Sequence, residues 1–545
     1  MKKISLFSCL LLLICNMDLF AQGNEIDAFT ISNTDLGGTA RSVAIAGAFG
    51  SLGGDISVIS QNPAGLGIYR SSEISGTLDL STNKTSTSWN GINMNRNDTR
   101  FTPFNFGFEL YFPAGTEGIS NWNLGFSHNR VKNFNRKYGM LNNGLSYSMA
   151  DYVAWRASNA FGPDRGIPEN DLIYEKGVYD PYNEGGLAGH WLSILGYESG
   201  MYGNMLGQDG LYHSAFGEKE RDGGDWIIHS PNQMRLSVNE SGYMDEYNVG
   251  FGMNISNFLF LGASLTMTDL NYKYSSFYEE YFTYDNTKDD ELYLENWLNT
   301  EGSAVSINVG AIVNMQILRL GVAYNSPRWY NMTDYYDARA GTYINGYSTP
   351  EFSASIPENS YSEYKFSTPG KWIFSGSIIL GSSALISADY ELVNYNDMYF
   401  SSKDEYGGEV NYDANRYIDE DYTWSQTLKL GAEVKITPRF AVRAGYMMQT
   451  SPMRKALVNN DVEVLPAGTI PHFTVTSKPT NYYTAGLGYR FTSNFYMDLA
   501  CVYRQNESDA YAFSNTYKTA NDVVSMPATL RSNTTRMVLT LGYKF

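Results

Sequence analysis

Five histidines, His128, His190, His213, His229 and His472, are the side chains best suited to acid–base or metal chemistry near neutral pH. None forms H-E-x-x-H or stands beside a cysteine at zinc-ligand spacing. Ser127-His128 has the residue types of a hydrolytic dyad. Neighbours on one strand point to opposite faces, so these two cannot act on each other, and no G-x-S-x-G is present. The glycines between 37 and 67 suggest a phosphate loop, but G-x-x-x-x-G-K-[ST] is missing. Acidic runs at Asp289-Asp290-Glu291 and Asp419-Glu420-Asp421 offer oxygen ligands. Solvated, self-repelling loops are the simpler account of them. The expectation is a protein that is not an enzyme, with no catalytic residue, no metal site and no cofactor.

The elements around these residues follow a period of two. Tyr247, Val249, Phe251, Met253 and Ile255 alternate with small or polar residues, turn at Ser256-Asn257, and are answered by Leu259, Leu261, Ala263, Leu265 and Met267. The same hairpin pattern recurs around Met315-Gln316, Ser382-Ser383, Thr437-Pro438 and Thr492-Ser493, and around "PAGTEGISN" between Phe112 and Trp122. With a strand from Ile74 to Leu80 and one from Met537 to Phe545, the total is fourteen. Short turns alternate with long connections over 83–102, 132–243, 274–302, 331–361, 401–420, 451–480 and 507–532. Sorting of loops by length is the pattern of an outer-membrane barrel, and a soluble sandwich has no reason for it. The expected fold is all-β: a 14-stranded antiparallel transmembrane β-barrel with partly helical extracellular loops, over 71–545. Met537, Leu539, Leu541, Tyr543 and Phe545 form its closing strand, with Tyr543 and Phe545 in the periplasmic aromatic girdle.

Composition agrees. Aromatic residues make up 15% of the chain and there are 51 glycines. Beyond residue 21 no apolar run approaches the ~18 residues of a membrane helix. A net charge of −18 argues against nucleic acid as a partner. Lys2, Lys3, the apolar run Ile4–Ile14 and Leu19-Phe20-Ala21 read as a signal peptide, residues 1–21, and imply export to the cell outer membrane. A lipoprotein signal is the rival reading, since Cys9 and Cys15 lie here; without this segment Cys501 is the sole cysteine. Glu246, Asp269, Asp389, Glu391, Glu433 and Asp498, with Arg319, Lys429, Lys435, Arg443, Arg490 and Arg504, are assigned to the lumenal face. Their mixed signs predict ion pairs across strands.

Residues 22–70 precede the first strand and carry "GTARSVAIAGAFGSLGGDISVISQNPAGLGIYRSSE". Asn62-Pro63-Ala64-Gly65 reads as a turn, with Pro63 fixing φ and Gly65 at positive φ. A segment ending in "NPAGLG" and followed by fourteen strands resembles the FadL/TodX family of outer-membrane transporters for long-chain fatty acids and other hydrophobic compounds. Residues 37–73 look like the hatch region of its Bacteroidota members. The resemblance implies that residues 22–70 plug the lumen as a hatch, and that Asn62, Pro63 and Ala64 match the family's NPA signature. It implies passive uptake of hydrophobic small molecules such as fatty acids. Outer-membrane lipid and lipopolysaccharide are implied partners, the latter through divalent cations on the acidic loops. The terminal aromatic strand is similar to the signal read by the barrel-assembly machinery. In the long loop 132–243, Ser148 to Asp151 makes a capping-box-like start to a helix carrying Met149 and Tyr152, and Leu187, Trp191 and Leu195 form a second patch. These side chains, with Phe49 and Leu52 of the hatch, either contact an apolar ligand or pack the loop and the hatch against the barrel. Two other functions stand beside uptake: an outer-membrane adaptor for protein secretion of the type IX kind, as some relatives serve, and haem uptake, for which no His-rich loop or Cys-Pro site speaks.

Overall fold

Apolar residues at every second position give a strand one face for lipid and one for a lumen, and fourteen such strands hydrogen-bond here in a ring. The computed structural model describes residues 23–116, 118–184, 187–203, 211–216, 219–220, 226–227, 231–284, 288–344, 351–357, 360–402, 412–464, 470–517 and 522–545. The expected signal peptide, residues 1–21, lies outside them, as does His229.

The strands are β1 (Glu73–Trp89), β2 (Ile92–Thr116), β3 (Ile119–Asn133, continued by Arg136–Asn142), β4 (Gln233–Ile255), β5 (Leu259–Tyr284), β6 (Lys288–Met315) and β7 (Leu318–Asn325 and Trp329–Tyr343). They continue as β8 (Ser360–Ser367 and Lys371–Leu380), β9 (Ala384–Asn394 and Tyr399–Ser401), β10 (Trp424–Lys435), β11 (Phe440–Gln449), β12 (Phe473–Val475 and Thr480–Arg490), β13 (Phe495–Tyr511) and β14 (Ala528–Lys544). Every neighbouring pair is antiparallel. β14 closes on β1 in continuous register from Glu73↔Lys544 to Ser88↔Thr529. Closure leaves no strand edge unpaired, the condition for a sheet to cross a bilayer. Outward residues such as Leu78, Phe108, Leu265, Ile307, Leu320, Phe374 and Leu541 are exposed and form the lipid-facing belt. Among the described residues no helix is long and apolar enough to cross a membrane, so the strands do the crossing.

Each of the fourteen expected strands is present, but the strands are longer than the apolar pattern indicates. β5 has 26 residues and β6 has 28, where roughly 9–11 tilted residues suffice to span. The connections expected over 83–102 and 274–302 are therefore mostly strand. Trp89 and Ile92 are joined by Asn90 and Gly91 at φ 46° and 83°, a two-residue hairpin turn. Above the lipid belt the outward face meets water, so apolar alternation stops while backbone pairing continues. The connection expected over 132–243 is shortened in the same way, because Arg136–Asn142 and the start of β4 pair as strands.

Three adjacent staves break at one height near the top of the belt. β7 is interrupted by Ser326-Pro327-Arg328, β8 by Thr368-Pro369-Gly370, and β9 by a 3-10 turn, Tyr395–Asp397. Proline cannot donate to a ladder, which places the first two breaks. Beyond them the wall continues outward from the membrane.

The outer half of the lumen is filled. α1 (Glu25–Ser32) comes from the N-terminal segment. α3 (Met149–Ser158) and α4 (Trp191–Glu198) belong to the β3–β4 connection, and α2 (Ala40–Ala44) lies deeper. The expected start of α3 is observed: Ser148 and Asp151 form a reciprocal capping box. One apolar cluster joins α1, α3 and α4 to the inner faces of the extended strands, from Ile26 and Ile31 through Tyr152, Trp191 and Leu195 to Tyr278 and Leu294.

Candidate functional site: the occupied lumen

Residues 23–70 lie within the barrel and reach the wall on nearly every side. Asn24 and Asp27 cap α1 reciprocally, Thr39 caps α2 and Asp55 caps a 3-10 turn, Ile56–Ser60. The hydroxyl of Thr39 donates to Asp55 at 2.7 Å. The Ala40 amide donates to Thr540 of β14 at 2.7 Å, the Gly50 amide to Asp389 of β9 at 2.9 Å, and Ser264 of β5 to the Ile59 carbonyl at 2.9 Å. Arg319 of β7 donates to the Leu52 carbonyl at 2.8 Å.

The Asn62-Pro63-Ala64-Gly65 stretch is a 3-10 helix, Pro63–Ile68, capped by Asn62 with Pro63 at its first position. The side chain of Asn62 accepts from the Ala64 amide at 3.2 Å and donates to the Gly50 carbonyl at 2.7 Å. It thus ties two passes of the segment together. The expectation for Gly65 is corrected: it lies within this helix, and the positive φ angles are at Gly53 (64°) and Gly54 (68°). Gly65 is needed for space, since a Cβ there would stand 3.0 Å from the Cα of Gly53 and from Val58.

The wall makes room with glycine. In β4, β5 and β6 the inward residues Gly252, Gly262 and Gly310 are register partners. A Cβ would come within 2.5 Å of Leu66 at Gly252, 2.2 Å of the Pro63 backbone at Gly262, and 2.0 Å of Asn62 Oδ1 at Gly310. Gly431, Gly445 and Gly486 of β10–β12 do the same for Ile45 and Ala44, at 2.5–2.6 Å. Gly107 and Gly125 receive Ile56 and Ile59. This inward girdle is the functional feature that strand-by-strand reading missed. Its signal is glycine recurring on the non-lipid face at one height of successive strands.

On both sides of the girdle the lumen is charged. Glu433 accepts from Arg41 at 3.0 Å and Arg443 at 2.7 Å, and Arg443 reaches Asp498 at 2.6 Å. Arg536 joins Asp79 at 2.8 Å and donates to the Leu36 carbonyl at 2.6 Å. A cavity of about 130 Å³ between Ser32–Gly38 and the wall is lined by two ion-paired groups, Arg328 with Glu246 at 2.5 Å and Lys429 with Glu391 at 2.6 Å. Such a chamber is too small and too charged for an apolar chain. The ion pairs expected across strands are therefore present for Glu246, Glu391, Glu433 and Asp498. Asp269 is a correction: it shares the outward face of β5 with Met267 and is exposed.

Phe49 and Leu52 are buried in a cluster with Ile45, Ile56, Val58, Ile59 and Leu66. Met149, Tyr152, Trp191 and Leu195 are buried in the outer cluster. None of these six lines the lumenal cavity. Outside the spanning region, burial holds the imidazoles of His190, beside Arg156, and His472 down to about 4. His472 Nδ1–H donates to the Ala512 carbonyl at 2.6 Å. Among the described residues no group of three His, Cys, Asp or Glu is placed to hold a metal. Tyr543 is outward and exposed on β14, and the Phe545 amide donates to the Ser72 carbonyl at 3.0 Å.

A closed barrel with an outward apolar belt is the form of an outer-membrane protein. No protein-family model and no curated protein matches the chain. Among solved structures it is similar to a Pseudomonas aeruginosa FadL homologue, with TM-score 0.49 at 11% identity over 94% of this chain and 99% of that one. It is similar also to the P. putida toluene transporter TodX, with TM-score 0.47 at 12% identity over 94% and 99%. The monoaromatic hydrocarbon channel CymD gives TM-score 0.45 at 12% identity over 94% and 98%.

Proposed function

We propose that this protein is an outer-membrane channel for passive uptake of hydrophobic molecules, long-chain fatty acids among them, with residues 22–70 as its hatch. The observation that carries the reading is the continuity of one apolar cluster from the loop helices α3 and α4 to α1 of the N-terminal segment. An apolar solute partitions into such a cluster and not into the charged chamber beneath it. Met149, Tyr152, Trp191 and Leu195 meet the solute first, and Phe49 and Leu52 meet it as the segment gives way. Asn62 to Gly65 is the fold point of the hatch. Tyr543 and Phe545 serve the barrel-assembly machinery, and the outer-membrane lipid with its lipopolysaccharide is the surrounding partner.

The test is accumulation of a radiolabelled long-chain fatty acid and of toluene by cells expressing the wild type or the Asn62→Ala, Pro63→Ala double variant at equal surface level. Accumulation in the variant that departs from the wild-type level supports gated uptake. Equal accumulation of both solutes with and without the protein refutes it. The complete packing of Met149, Tyr152, Trp191 and Leu195 favours a second reading, an adaptor for protein secretion whose outer loops bind protein. A secreted protein retained on the purified barrel in place of a fatty acid would select that reading.

A further inference from the structure

The outer wall above the lipid belt carries a groove that the uptake reading does not use. Outward of the breaks in β7, β8 and β9 lies a groove of about 940 Å³, lined by Tyr243, Asp269, Glu301, Asn331, Glu363 and Lys365 among others. Its position is fixed by strand register. The last row of the belt runs Val305, Trp329, Ser367, Tyr399. The next outward row is Asp269, Ser303, Asn331, Lys365, Ser401. The row after that is Asn271, Glu301, Thr333, Glu363. Tyr335 and Tyr361 follow as partners, rings 6.4 Å apart. Rows on one face are two residues, about 7 Å, apart. Two polar rows are thus framed by aromatic side chains: Trp329 and Tyr399 below, 52% and 51% exposed, and Tyr335 and Tyr361 above, 48% and 37% exposed.

We infer that this groove holds the sugar rings of the outer-leaflet glycolipid. Sugars offer hydroxyl donors to carboxylates and amides and a C–H face to aromatic rings, and both lie here in adjacent rows. Glu363 and Lys365 make no side-chain hydrogen bond or ion pair among the described residues. Asp269 accepts only a long bond, 3.3 Å, from Tyr243. Three carboxylates against one lysine disfavour a phosphate and favour neutral hydroxyls. The groove spans the first and second rows above the lipid belt, up to about 14 Å of wall, so its outer row faces the core sugars beyond the phosphorylated glucosamines at the acyl boundary. The inference depends on outer-membrane placement but not on uptake, and accumulation assays do not bear on it.

The experiment uses full-length barrel in detergent with two purified probes: rough lipopolysaccharide bearing a complete core, and lipid A without core sugars. Binding is read by native mass spectrometry. The wild type should retain the core-bearing probe about tenfold more tightly than lipid A. Glu301→Ala with Glu363→Ala, and separately Tyr243→Ala, which also lines the groove, should each remove about tenfold or more. Heat-modifiable migration confirms that each variant is a folded barrel, and Glu301→Gln with Glu363→Gln should keep part of the binding. Equal retention of lipid A overturns the inference, as does unchanged binding in both variants. Equal affinity for the core oligosaccharide freed of its lipid would overturn the assignment to a membrane glycolipid. A protein from membrane extracts that displaces the core-bearing probe would assign the groove to a protein partner instead.

Discussion

Filling the glycine girdle should expel the N-terminal segment without breaking the barrel. Gly252, Gly262 and Gly310 lie side by side on β4, β5 and β6, and valine at all three keeps strand propensity high. Each new Cβ meets atoms that cannot yield easily. At Gly262 the nearest three, at 2.2–2.3 Å, are all backbone of Pro63 and Ala64. Overpacking of this kind costs about 1–3 kcal/mol per site, at the upper end where backbone is hit, or about 9 kcal/mol for three. Opposing it are seven buried apolar anchors, Ile45, Phe49, Leu52, Ile56, Val58, Ile59 and Leu66. At roughly 1.5–3 kcal/mol each they supply roughly 10–20 kcal/mol as an upper bound. Removal of roughly half or more of that hold should make openings of the lumen more frequent than in the wild type. The assay is ion conductance of single barrels in planar bilayers, after heat-modifiable migration has shown assembly. The wild type should be nearly closed and the triple variant should open measurably more often. The same valines in a barrel lacking residues 23–70 should conduct like the deletion alone, because Asn62 to Gly67, which they would strike, are then gone. A triple variant that assembles and conducts no more than wild type refutes the reasoning.

Three further outcomes follow from the same contacts. Arg443→Met leaves Glu433 and Asp498 buried with Arg41 as the remaining close cation, and should lower stability by about 3–5 kcal/mol, seen as an earlier heat-modification transition; adding Glu433→Gln and Asp498→Asn should restore part of it. His472 is neutral in the fold, with its titration held down to about 4, so stability is full above the unfolded value near 6.5 and falls as pH drops from there towards 4. That loss is about 3 kcal/mol for a shift of this size, and His472→Phe should flatten the corresponding slope of urea unfolding between these pH values. Asn62→Ala removes the cap of the 3-10 helix and the bond to the Gly50 carbonyl, worth about 1–2 kcal/mol together, and should give brief conductance openings with no change in assembly.

The fold class was legible because lipid on one side and a lumen on the other impose a period of two, and this survives in residues such as Tyr247 to Met267 without any knowledge of partners. Strand number and the pairing of Met537–Phe545 with the first strand followed from that period and from the rule that a membrane sheet must close. The cap of α3 at Ser148 was legible too, since it is made by residues three apart. The strand ends were not legible. Above the belt both faces of a paired strand can be polar, so the stretches around Asn90 and Tyr284 look like loop in sequence and are strand in space. Asp269 was misplaced for a related reason: one carboxylate on an outward face reads as lumenal until its height above the lipid is known. The girdle of Gly252, Gly262 and Gly310, the tie from Asn62 to Gly50 and the outer groove join residues tens to hundreds of positions apart. Composition can show that such residues exist. Only closure of the ring brings them to one height and one side of the wall.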